Sequence, residues 1–177
     1  MSTLFKSERL LFRHLDGDDL GNMSELLSDP EVMRYCSGPL DTESARKWLG
    51  ACMRAYRDPG YDYWAAELVY GGGFIGQMGI LRETVDGHPH DCLAYMLAKG
   101  HWGKGYALEG ARACLDYAFT SIGLARVHAT VERDNRKSVA ILCALGMSFQ
   151  KEALFADGKV DLYGISREEW ESGRQES

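Results

Sequence analysis

Residues 92–98 form an unbroken apolar run, the next seven positions hold three glycines, and helical spacing sets in at 104 and lasts to 122. A strand that turns at glycine straight into a helix is already half of a crossover unit. The other half is at 125–132, where Val127, Ala129 and Val131 alternate with Arg126, His128 and Thr130 in the period of a strand. Two strands joined by a helix of that length pair in parallel, because a parallel connection needs a dozen or more residues. Everything else in the chain has to pack around this β-α-β unit.

Upstream, 8–15 has the make-up of a first strand, and 16–28 and 41–57 carry apolar residues at helical spacing. The second of these opens on Asp41 or Thr42, either of which can cap a helix. Short connections then separate three strand-like stretches at 61–70, 74–83 and 92–98, the first two by a glycine-rich turn. After the crossover, 135–145 reads as a short helix with Gly146 just past its end, the place for a left-handed cap. Strands at 147–154 and 159–165 close the chain around an Asp157-Gly158 turn, and the polar tail frays beyond Trp170. The expected fold is α/β of the α+β type. It is a mixed, mostly antiparallel sheet of about seven strands with helices on both faces. One domain accounts for 8–171, with 172–177 as a polar tail.

The turn between the crossover's strand and helix carries the chemistry. In Leu97-Ala98-Lys99-Gly100-His101-Trp102-Gly103-Lys104-Gly105-Tyr106-Ala107, Gly103 and Gly105 let the backbone approach a ligand closely. The first helical N–H groups have no internal partners and the helix end is partially positive, so the segment suits a phosphate or diphosphate. A glycine turn without a ligand is the alternative. Two other phosphate signatures fail: Gly105 stands where a P-loop needs Ser or Thr, and the G-x-G-x-x-G match at 71–76 leads into strand-like residues. That match reads as a hairpin turn, so neither ATP nor NAD is expected.

Composition narrows the class. A net charge of −6 has the wrong sign for a nucleic-acid binder. Glycine excluded, no apolar run exceeds seven residues where a membrane helix needs about 20, and nothing in the first ten residues has the length of a secretory signal. Five cysteines with no C-x-x-C suit reduced thiols and a cytoplasmic protein. His88, His90 and Cys92 are spaced like ligands on a strand, but Pro89 after Asp86-Gly87 suggests a surface loop with no fourth ligand nearby, so no metal is expected.

Residues 95–110 resemble motif A of the GNAT N-acetyltransferases. Trp102-Gly103-Lys104-Gly105-Tyr106-Ala107 is similar to the segment carried by the RimJ/RimL-like branch. In the family pattern Q/R-x-x-G-x-G/A, Trp102 replaces the usual first residue, as it does in that branch. The likeness extends to Glu8-Arg9-Leu10-Leu11-Phe12-Arg13, to Asn135-x-x-Ser138 through Leu145-Gly146-Met147, to Asp157-Gly158 with Asp161, and to Glu168-Glu169-Trp170. In order, these cover about 8–171.

The resemblance implies a GNAT fold and acetyl-CoA as co-substrate. Backbone groups of Trp102, Gly103, Lys104, Gly105, Tyr106 and Ala107 would hold the diphosphate. Tyr95, Met96, Leu97 and Ala98 would pair with the pantetheine amides, the neighbouring strand would part from them, and Asn135 and Ser138 would line the far side. A backbone N–H near Met96 or Leu97 could polarise the thioester carbonyl. Many relatives place a tyrosine where this chain has Leu142, so Ser138 and then Tyr95 become the hydroxyls for the leaving thiolate. Ser138 is equally well placed to cap its own helix. For the base, the candidates are Asp91, next to the position where relatives carry a glutamate, and Glu67; either could instead be a turn or solvent-facing residue. Cys92 as an acetyl carrier has little to recommend it, because direct transfer needs no such group. The acceptor implied is a primary amine, on a small molecule or a peptide, handled by a monomer or homodimer. An aminoglycoside-type acetyltransferase and a non-catalytic CoA sensor are the competing readings.

Overall fold

The computed structural model describes residues 2–156 and 158–175. Eight strands and five α-helices follow one another as β1 (Thr3–Lys6), β2 (Leu10–His14), α1 (Leu20–Ser28), α2 (Thr42–Ala55), β3 (Tyr63–Leu68), β4 (Phe74–Val85), β5 (His88–Leu97), α3 (Tyr106–Tyr117), β6 (Arg126–Val131), α4 (Arg136–Ala144), β7 (Ser148–Phe155), β8 (Gly158–Ser166) and α5 (Arg167–Gln175). The strands make one sheet in the order β1-β2-β3-β4-β5-β6-β8-β7. Among the described residues only β5 and β6 run parallel. This is the mixed, mostly antiparallel architecture expected, with one strand more.

The extra strand is β1. Its four residues show no alternation long enough to register, and it is held by its partner β2 and by Phe5, whose ring stacks between Phe12 and Tyr117. Three further differences concern boundaries. Residues 88–90 extend β5 where the sequence suggested a loop, because β4 and β5 pair without interruption from Gly76↔Leu97 to Val85↔His88. The chain does not fray after Trp170: α5 continues to Gln175, with Trp170 buried and its Nε1 donating to Asp116 at 2.9 Å. The crossover helix ends at Tyr117 and passes into a π-helical turn, Ala118–Ile122. Asp157 of the anticipated Asp157-Gly158 turn lies outside the described residues, as do the last two tail positions.

Local chemistry explains the other ends. Asp41 caps α2 by accepting from Ser44 N–H at 2.7 Å. Gly146 closes α4 at φ +80, with Met147 N–H bonding back to Leu142. Alternation along the strands then sorts the core into two layers. Leu10, Phe12, Trp64, Met78, Ile80 and Leu93 face α3 and α4. Tyr63, Ala65 and Met96 face α1 and α2.

Candidate functional site

β5 and β6 share a single bridging pair, Cys92↔His128. Past that point β5 runs on to Leu97 with no β6 partner among the described residues, so the sheet opens into a gap between its only parallel neighbours. Ala98 N–H bonds to Ile75 O at 2.8 Å, and the unshifted β4–β5 register carries the same sense to Met96, whose amide therefore points into the sheet. Alternation turns the backbone groups of Tyr95 and Leu97 the other way, into the gap. Of the two N–H groups anticipated to polarise a carbonyl, Leu97's faces the gap and Met96's is taken up by pairing with Gln77.

The gap leads to the glycine turn. His101 and Trp102 N–H groups close a short 3-10 turn on Ala98 and Lys99. Gly103 and Gly105 then adopt φ of +72° and +81°, and Gly105 is the cap of α3. Glu109 N–H is the first in the helix to find a backbone acceptor, Gly105 O at 3.1 Å; among the described residues the N–H groups of Tyr106, Ala107 and Leu108 have none. Nothing lies within 4 Å of where a side chain at Gly103 would start, so the backbone there is bare. Trp102 Nε1 donates to Leu97 O at 2.8 Å and Lys104 Nζ to Gly100 O at 2.8 Å, so both side chains brace the turn. Arg9 was not among the residues singled out for this site. Its guanidinium donates to Lys104 O at 3.0 Å, lies 4.6 Å from the Tyr106 ring and pairs with Glu109, which puts a second cation beside the turn. Its place as the second residue of the Glu8–Arg13 motif, about a hundred positions before the turn, gives no hint of this. Exposed donors, left-handed glycines and two cations fit a diphosphate.

On the α3/α4 side of the gap, Asn135 caps α4 by accepting from Ser138 N–H at 3.3 Å. Ser138 Oγ is thereby released from capping and lies 3.0 Å from the Tyr95 hydroxyl. The two hydroxyls proposed from sequence are thus one hydrogen-bonded pair. Burial pushes the Tyr95 phenol up to about 12 against the Ser138 bond, so it is a neutral proton donor. Leu142, at the position of the missing tyrosine, is buried in the core.

The carboxylates sort differently. Glu67 accepts from Arg13 Nε and a terminal nitrogen at 2.8 and 2.6 Å, and Arg13 also grips the buried Asp19. Asp91 accepts from Tyr61 Oη at 2.6 Å and lies 3.7 Å from Arg82, on the α3/α4 face. Both are engaged in fixed polar contacts. A third carboxylate, Glu83, sits on the α1/α2 face of β4 opposite His90. Burial raises it to about 7, against a hydrogen bond from Cys92. The alternation Gln77, Gly79, Leu81, Glu83 along one face of β4 was the available signal for it. His128 is not a solvated histidine: its Nδ1 is buried without a partner, its ring meets His90 edge-to-face at 4.6 Å, and burial lowers it to about 4.

The profile of the Acetyltransferase (GNAT) domain family matches residues 9–148. The chain is 34% identical to the uncharacterized protein YkkB of Bacillus subtilis (strain 168) over 150 residues, 84% of this chain and 87% of that one. It is 32% identical to the uncharacterized N-acetyltransferase p20 of Bacillus licheniformis over 160 residues, covering 89% and 87%. Among solved structures it resembles an acetyltransferase from Agrobacterium tumefaciens str. C58, with a TM-score of 0.82, 27% identity, and coverage of 94% and 95%.

Proposed function

Because this chain belongs to the GNAT family of acetyl-CoA-dependent N-acetyltransferases, we propose that it transfers the acetyl group directly to a primary amine, in the manner of the RimJ/RimL-like branch. The observation that carries this reading is the gap between β5 and β6, which runs from the bare glycine turn to the Tyr95–Ser138 pair. Acetyl-CoA supplies an activated acyl group on a thiol leaving group. Backbone N–H groups from Gly103 to Leu108, with Lys104 and Arg9, would hold its diphosphate. Trp102 and Ala98 fix the turn and the strand end that present those groups. Tyr95 and Leu97 would offer backbone partners to the pantetheine arm, and Leu97 N–H would polarise the thioester carbonyl. Asn135 holds α4 so that Ser138 meets Tyr95, and this hydroxyl pair would protonate the departing sulfur.

An acidic chain suits a cationic acceptor, and both a peptide N-terminus and a small polyfunctional amine meet that description. Thiol release from acetyl-CoA across a panel of N-terminal peptides, polyamines and aminoglycosides tests the reading. Release with peptides or simple amines is expected. Release with aminoglycosides alone would assign drug modification instead, and heat with CoA but no release across the whole panel would overturn acetyl transfer to these amines.

Tyr95→Phe removes the phenol and leaves the backbone in place. Its kcat is expected to fall about 100-fold, the low end of what a positioned proton donor contributes. CoA affinity by titration calorimetry should not change. An unaltered kcat would transfer the role to Ser138 alone.

A further inference from the structure

We propose that Lys137 is a phosphate ligand for CoA, supplied from the α4 side of the gap. In the free protein it rests on the Trp102 ring, and on binding it moves to the phosphates of the incoming nucleotide. This deepens the acetyl-transfer reading above and rests on it.

The first turn of α4 reaches across the gap at two adjacent residues. In the interior, Ser138 meets Tyr95 of β5 at 3.0 Å. At the entrance, Lys137 Nζ lies 5.7 Å from the centroid of the Trp102 ring. The ring stands there because its Nε1 is pinned to Leu97 O, one of the groups that β5 turns into the gap. It is 37% exposed, in a chain that buries Trp64 and Trp170 almost completely. The next residue, Gly103, begins the bare backbone that suits a diphosphate. Lys137 is therefore held beside the anion cradle by a side chain that belongs to the cradle.

Its charge has no other use in the fold. Arg136 and Lys137 open α4, and no acid accompanies them in its first turn. Positive charge at that end opposes the helix dipole, so neither residue is placed there for the helix. Neither takes part in an ion pair among the described residues, whereas Arg9, Lys99 and Arg133 nearby each hold a carboxylate. A cation–π contact at an exposed site is weak. It positions the ammonium and yields it readily to a phosphate oxygen, which makes the stronger, charge-assisted bond.

The make-up of CoA accounts for both partners. Between its diphosphate and its first amide lies a gem-dimethyl carbon. A path from the turn into the gap past Leu97 takes that carbon over the indole, whose face Lys137 uncovers as it leaves. The ammonium goes to phosphate and the methyl groups replace it on the ring. This is a rotamer change of an exposed side chain, which is fast on the timescale of association. The turn before α3 and the first turn of α4 then hold the same ligand from the two sides of the gap.

Titration calorimetry with CoA and with dephospho-CoA on wild type, Lys137→Met and Lys137→Arg tests this. Methionine keeps an apolar stem against Trp102 and removes only the charge. Lys137→Met should bind CoA about tenfold more weakly, the loss of one hydrogen bond to a charged group, at an unchanged melting temperature. Lys137→Arg should bind as wild type does. Added salt should shrink the difference between wild type and Lys137→Met, because it screens an exposed charge pair. An equal loss with dephospho-CoA supports the contact at the diphosphate, and a loss confined to CoA supports it at the 3′-phosphate. Full CoA affinity in Lys137→Met, a loss that Lys137→Arg shares, or a loss that salt leaves unchanged overturns the proposal. Absence of heat with CoA in wild type overturns the acetyl-CoA reading itself, and the role of Lys137 falls with it.

Discussion

Gly105→Asp is expected to weaken CoA binding about 100-fold, the equivalent of roughly 3 kcal/mol. Two effects combine. A side chain at φ +81° costs about 1–2 kcal/mol away from glycine, and its first atom would lie 3.3 Å from the Arg9 guanidinium. The added carboxylate also occupies the positive end of α3, displacing the anion that the free N–H groups would hold, at about 1–2 kcal/mol. Gly103→Ala separates these effects. It meets no atom within 4 Å and carries no charge, so only the conformational cost applies and a loss of about tenfold is expected. Calorimetry with CoA measures both. Wild-type heat in Gly105→Asp would remove the turn from the binding site.

Arg13→Met should be the most damaging single change to stability. Arg13 and Asp19 side chains are 8% and 2% exposed, and the guanidinium binds Asp19 through two nitrogens at 2.8 Å while also reaching Glu67. Removing it leaves a buried carboxylate without its counterion, a loss of about 3–5 kcal/mol. For a chain of this size that lowers Tm by roughly 10 °C or more. Adding Asp19→Leu should recover much of the loss, since the uncompensated charge is gone. The same pair sets an acid limit. Burial pushes the Asp19 carboxyl up, but Arg13 and the Asp16 N–H pull it further down, leaving it below the usual carboxylate range. A carboxyl depressed in the folded state stabilises above its unfolded value, and that contribution disappears as pH falls through the folded one. Thermal melts should thus show an acid-side fall in wild type that is smaller in Arg13→Met/Asp19→Leu. Equal melts for wild type and Arg13→Met would show that the pair adds nothing.

Much of this was legible from residue order. The crossover announced itself because its strand is apolar on both faces, its helix is long, and glycine marks the join. Strand β1 was not legible: four residues cannot display a period, and its place depends on aromatic contacts with residues far along the chain. Asn135, Ser138 and Tyr95 were each visible as residue types, but that Asn135 takes over capping and frees the serine for the tyrosine is a fact of three-dimensional distance. The carboxylates were the hardest. Glu67 and Asp91 look like free carboxylates in a linear string, and only the folded contacts show that each meets an arginine.

The glycine turn is braced from within by the Trp102 indole on Leu97 O, the Lys104 ammonium on Gly100 O and the Arg9 guanidinium on Lys104 O. None of these contacts involves a ligand. Rigidity of this kind is acquired when the chain folds, so the conformational entropy of shaping the cradle is not charged against the encounter with the dinucleotide-like head of CoA. Association should accordingly follow a single fast phase limited by diffusion and orientation, with no slow rearrangement after contact.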